Sequence, residues 1–104
     1  MPKLTFDEAI SAINDERSID RNDIQSSALK RRVYTVLYSA PGCLPDNSAV
    51  FETRGAALDY ARELYADDAP RGFMAALLRY GIAPIDAQGY YRVEVCKLTL
   101  ADLF

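Results

Sequence analysis

Reactive chemistry needs side chains that move protons, attack carbonyl groups or hold metals, and in this chain that set is thin. Its 104 residues contain no histidine. That removes the commonest general base near neutral pH, the Ser-His-Asp and Cys-His triads and every zinc site that needs an imidazole. Cys43 and Cys96 are the only cysteines, and two thiolates alone cannot close a structural zinc site. No lysine lies near Cys43 in sequence to lower its pKa, which makes it a poor nucleophile. Asp7, Glu8, Asp15, Glu16, Asp20 and Asp23, and the later pair Asp67 and Asp68, lack the spacing of a calcium loop. Carboxylate-only chemistry is the one acid–base route left open. The chain is expected to be a non-enzyme with no cofactor and no metal.

The remaining groups recognise rather than react. Seven tyrosines are present. Tyr34, Tyr38, Tyr90 and Tyr91, with Arg92, fall on the two segments that look most like strands. Tyrosine and arginine are enriched where interfaces gain most of their affinity. Residues 1 to 29 hold six acids against three bases. They form either a solvated acidic face or a negative surface for a basic partner. The run Pro41-Gly42-Cys43-Leu44-Pro45-Asp46 is either a stiff connection or a rigid recognition loop. The expected contact residues are Asp7, Glu8, Asp15, Glu16, Tyr34, Tyr38, Leu44, Asp46, Tyr90 and Arg92. The alternative is a small nucleic-acid-binding regulator using Lys30, Arg31 and Arg32. A formal net charge of −3 argues against direct nucleic-acid binding, although it does not forbid a local patch. A duplex needs a basic face, and the acidic balance also disfavours RNA bases stacking on sheet aromatics.

These groups need a scaffold. Thr5 and Glu8 stand at capping-box spacing, and Phe6, Ala9, Ile10 and Ile13 make an apolar stripe, so a helix runs from Thr5 to near Glu16 or Arg17. Residues 18–31 are polar, with Ser18 or Asp20 able to cap a helix or a helical turn. Val33 to Tyr38 is almost wholly β-branched or aromatic and predicts a strand. A loop follows at 40–47, then a short extended segment at 49–52. Thr53 caps a helix whose stripe is Ala57, Leu58, Ala61, Leu64 and Tyr65. Asp67 and Asp68 end it and can cap the next helix, with Pro70 in its first turn. Phe73, Met74, Leu77 and Leu78 give that helix its apolar face, and Gly81 stops it. Residues 82–85 read as extended and 86–89 as a turn. Alternation over 90–98 predicts a strand with Tyr91, Val93 and Val95 facing the core. Residues 99–104 form a capped turn whose Leu and Phe fold back on the body.

The segment Val33–Ala66, about a third of the chain, contains a strand, Pro-Gly-Cys-Leu-Pro-Asp, Val-Phe-Glu-Thr and the helix Ala-Ala-Leu-Asp-Tyr-Ala-Arg-Glu-Leu. It resembles small accessory proteins of phages and mobile elements, including the anti-CRISPR group. The resemblance implies a short, acidic inhibitor that blocks a bacterial host defence complex by direct binding. None of its residues is a chemical motif, and it carries over no individual site residue.

The expected fold is α+β: one domain over 1–104, with a small antiparallel sheet of about three strands and helices packed on one face. The expected partner is a host protein or protein–nucleic-acid complex. No membrane span is expected, because no apolar run approaches ~18 residues. The N-terminus has no apolar signal core, and with the scarce cysteines this implies the cytoplasm. A homodimer through a strand edge or an apolar helix face is compatible with this reading.

Overall fold

Two long strands separated by half the chain form the centre of the molecule. The computed structural model describes residues 2–43 and 46–104, with only the backbone at 46–48. Its elements are α1 (Phe6–Asn14), a 3-10 turn (Arg21–Asp23), α2 (Ser26–Leu29), β1 (Arg32–Ser39), β2 (Asp46–Phe51), α3 (Arg54–Tyr65), α4 (Phe73–Tyr80), β3 (Ile82–Pro84), β4 (Arg92–Thr99) and a closing 3-10 turn (Leu100–Leu103). The sheet order is β2-β1-β4-β3, and every neighbouring pair is antiparallel. The class is α+β, as expected, with four strands rather than about three. The extra strand is β3, too short to show alternation by itself.

Strand periodicity divides the core in two. Val36 and Val93 point to one face, where Ala57, Leu58 and Ala61 of α3 and Phe73 and Leu77 of α4 cover them. Val33 and Val50 point to the other, where they meet Phe6 and Ala9 of α1, Ile24, Ala28 of α2 and Leu100. Each large side chain buried in these clusters contributes roughly 1.5–3 kcal/mol of transfer free energy. Helices α3 and α4 thus share one face, and the amino-terminal helices cover part of the second. Helices therefore pack on both faces of the sheet rather than on one as expected, because both Val33/Val50 and Val36/Val93 present apolar surface that must be buried. Glu94 and Cys96 of β4 are only half-buried on that second face.

Local signals account for most element ends. The capping box at Thr5 is formed, with Thr5 N–H donating to Glu8 Oε1 at 3.0 Å and Glu8 N–H to Thr5 Oγ1 at 3.3 Å. Helix α1 stops at Asn14, two to three residues before the expected end near Glu16 or Arg17. Glu16 adopts φ 58°, and Arg17 N–H reaches back to the Ala12 carbonyl at 2.9 Å, the backbone pattern of a Schellman cap. Thr53 caps α3 through Ala56 N–H at 3.2 Å. Helix α4 differs from expectation. It begins at Phe73 after Gly72, whose φ of 90° places it in the left-handed region, and it has no side-chain cap. Pro70 lies outside the helix, and Asp67 and Asp68 do not cap it. Gly81 ends α4 as expected, at φ 75°. Leu100 and Leu103 pack on the second core, whereas Phe104 stays exposed. Among the described residues no helix is long and apolar enough to cross a membrane.

Candidate functional site

Three tyrosine rings line up at one end of the α3/α4 face. Tyr38 comes from the penultimate position of β1, Tyr65 from the last residue of α3 and Tyr91 from the residue before β4. The rings of Tyr38 and Tyr65 stack with centroids 6.0 Å apart and planes 8° apart. Those of Tyr38 and Tyr91 stack at 6.3 Å and 26°. Both spacings fall in the attractive range for aromatic pairs. Topology places the rings together: β1 ends where β4 begins, with Tyr38 opposite Val93 and Ser39 opposite Arg92. Tyr91 is held at both backbone groups, its N–H donating to Asp86 Oδ1 at 3.0 Å and its carbonyl accepting from Ile85 N–H at 2.9 Å. Tyr90 projects beside it, 65% exposed.

Four of the expected contact residues converge on this end. Tyr90 and Arg92 are at this end of the sheet, but Arg92 pairs with Ser39 and so alternates onto the face opposite Tyr38 and Val93. Tyr38 belongs to the row, and the backbone of Asp46 pairs with it. The Asp46 side chain and Leu44 lie outside the described residues. Tyr34 is on the same face but further along β1, half-buried opposite Phe51, whose ring meets Tyr60 at 5.0 Å. Asp7, Glu8, Asp15 and Glu16 are exposed but belong to α1 and its cap, on the second face, and do not join the tyrosines. Glu8 is committed to the helix cap: the Thr5 N–H, then the Thr5 hydroxyl, hold its carboxyl below the ordinary range. Two members of the row, Tyr65 and Tyr91, were expected in the core. An apolar stripe cannot distinguish a tyrosine buried to its hydroxyl from one at the rim of a helix or strand end.

The reactive groups stay dispersed. Cys43 is exposed, Cys96 half-buried, and both are free thiols. Burial pushes the Cys96 thiol up to about 11, helped by the adjacent Glu94 carboxylate, so its nucleophilic thiolate form is suppressed at neutral pH. Among the described residues no group of three or more Cys, Asp or Glu side chains lies close enough to hold a metal. A concavity of about 370 Å³ is lined by Pro2, Lys3, Leu4, Ser18, Ile19 and neighbours, and one of about 230 Å³ lies between Thr5, Gln25, Ser27 and Arg31. Both are near α1, away from the tyrosine row. No protein-family model matches this chain, and no curated protein or solved structure matches it.

Proposed function

We propose that this chain is a non-enzymatic protein-binding module whose contact surface is the tyrosine end of the sheet. The observation that supports this most is the stacking of Tyr38 with both Tyr65 and Tyr91, at the sheet end that also carries the exposed Tyr90 and Arg92. Stacked tyrosines offer broad amphipathic contact area with few torsions left to freeze on binding. Arg92, on the opposite face at the same sheet end, adds directional donors at the edge of that surface. The rings sit on strand and helix ends, so a partner meets a surface already close to its bound shape. The partner we favour is a bacterial host protein or protein–nucleic-acid complex in the cytoplasm, with the chain acting as a counter-defence inhibitor of the phage type. The acids of α1 would steer approach, but from another side of the molecule.

The test is affinity capture from several bacterial lysates with the full chain, its Tyr90→Ala/Tyr91→Ala variant and a Asp7→Asn/Asp15→Asn control. The expected result is a specific partner retained by the wild type and the control and lost by the tyrosine variant. Equal capture by the tyrosine variant, with its melting unchanged, would overturn the assignment of this surface.

A further inference from the structure

A second surface forms at the other end of the same sheet face. Arg32 and Tyr34 of β1 share that face with Lys97 of β4, and Tyr34 pairs directly with Lys97. Helix α3 begins beside them, because Phe51, three residues before Arg54, pairs with Tyr34. Arg54 donates from Nη2 to the Leu78 carbonyl at 2.9 Å, tying the start of α3 to the end of α4. Arg79 follows at once, its guanidinium carbon 5.5 Å from the Tyr80 ring centroid. The next residue, Gly81, accepts from Val95 N–H at 2.8 Å, which sets Tyr80 beside the part of β4 that leads to Lys97.

Arg32, Arg54, Arg79 and Lys97 are all exposed, and Tyr80 is 68% exposed, the most open large apolar side chain among the described residues. Two nearby acids are paired with cations outside this set, and a third keeps its charge inside a backbone cap. Glu52 pairs with Arg31 at 3.3 Å, Asp59 with Arg62 at 3.6 Å, and Asp102 accepts from Thr99 N–H at 3.0 Å. A chain of net charge −3 therefore carries a local positive end.

We infer that this end binds a single-stranded nucleic acid, with phosphates at Arg32, Lys97, Arg54 and Arg79 and a base stacked on Tyr80. An acidic peptide would use the cations but not the open ring, and a duplex needs a longer basic footprint than four side chains. Single strands bind through this combination of a short cationic track and an aromatic platform. The surface is separate from the Tyr38–Tyr65–Tyr91 row, and neither depends on the other.

The test uses the full chain with a fluorescein-labelled oligothymidylate of about 12 nucleotides, followed by anisotropy from about 50 to 200 mM salt. Arg32→Gln/Lys97→Gln is expected to weaken binding about tenfold or more and to lower the log–log salt slope by about 1.4, two phosphates at 0.7 each. Tyr80→Ala is expected to weaken it about fivefold or more with the slope unchanged. Single Arg32→Gln and Lys97→Gln variants, each checked by thermal melting, give the same readout in halves if the double variant folds poorly. No binding at about 50 mM salt, equal binding by the variants, or equally tight binding of a duplex or of polyglutamate would each overturn the proposal.

Discussion

The side-chain amide of Asn14 closes both backbone positions of Val50. Its Nδ2 donates to the Val50 carbonyl at 2.9 Å, and its Oδ1 accepts from the Val50 N–H at 2.9 Å. Val50 lies in β2, an outer strand. Asn14, at the end of α1, thus occupies the place where a further strand would pair, and an unpaired edge is a template for association. Asn14→Ala is expected to destabilise the fold by about 1–3 kcal/mol. It should also introduce concentration-dependent self-association, read by denaturant melting and light scattering together.

Thr35 pairs with Val50 on one side and Cys96 on the other. It is fully buried, and its hydroxyl has no hydrogen-bond partner. A buried unpaired polar group costs about 1–3 kcal/mol. Thr35→Val is expected to raise stability by about 1 kcal/mol, seen as a higher midpoint at unchanged slope in urea.

Glu16 holds the left-handed position of the α1 cap at φ 58°. That conformation costs a non-glycine residue roughly 1–2 kcal/mol, and glycine avoids it. Glu16→Gly is expected to stabilise by about 0.5–1 kcal/mol once glycine's extra unfolded-state entropy is deducted. A melting temperature equal to or below wild type would count against this account of the cap.

The Cys96 thiol is raised from the ordinary 9.0 to about 11. A group whose folded pKa is raised contributes stability that is fully present below its unfolded pKa and is lost as pH rises through the folded one. Stability should therefore fall between pH 9 and about 11, and Cys96→Ala should remove that part of the slope. At pH 8 a maleimide is expected to modify the exposed Cys43 well before Cys96, which mass spectrometry of Cys43→Ser would show.

Much of the fold was legible because its signals are local. Thr5 with Glu8, Thr53 and Gly81 mark helix ends through bonds to residues three or four away. The alternation in 33–38 and 90–98 needs only the period of a strand. What stayed hidden depends on distant residues. Nothing near Ile82 reveals that 82–84 pairs with 92–94, and nothing near Asn14 reveals Val50. Helix α4 looked capped by Asp67 or Asp68 because a capping side chain is visible in sequence, whereas a left-handed Gly72 that replaces it is not. Of the expected contacts, Tyr38, Tyr90 and Arg92 share one end of the sheet because β1 ends where β4 begins, although Tyr38 and Arg92 are on opposite faces. The α1 acids could not be placed, since sequence does not say which face α1 would cover.

The central pairing of β1 with β4 has a kinetic consequence. Val36 faces Val95 across an intervening stretch that includes β2, α3, α4 and β3. Such a contact closes a long loop before it returns any burial. The helices in between can flicker into shape early, but the core under α3 and α4 cannot close until β4 brings Val93 beside β1. Refolding is expected to be slow for a chain of this length, with substitutions at Val36 or Val95 retarding it more than those in α1.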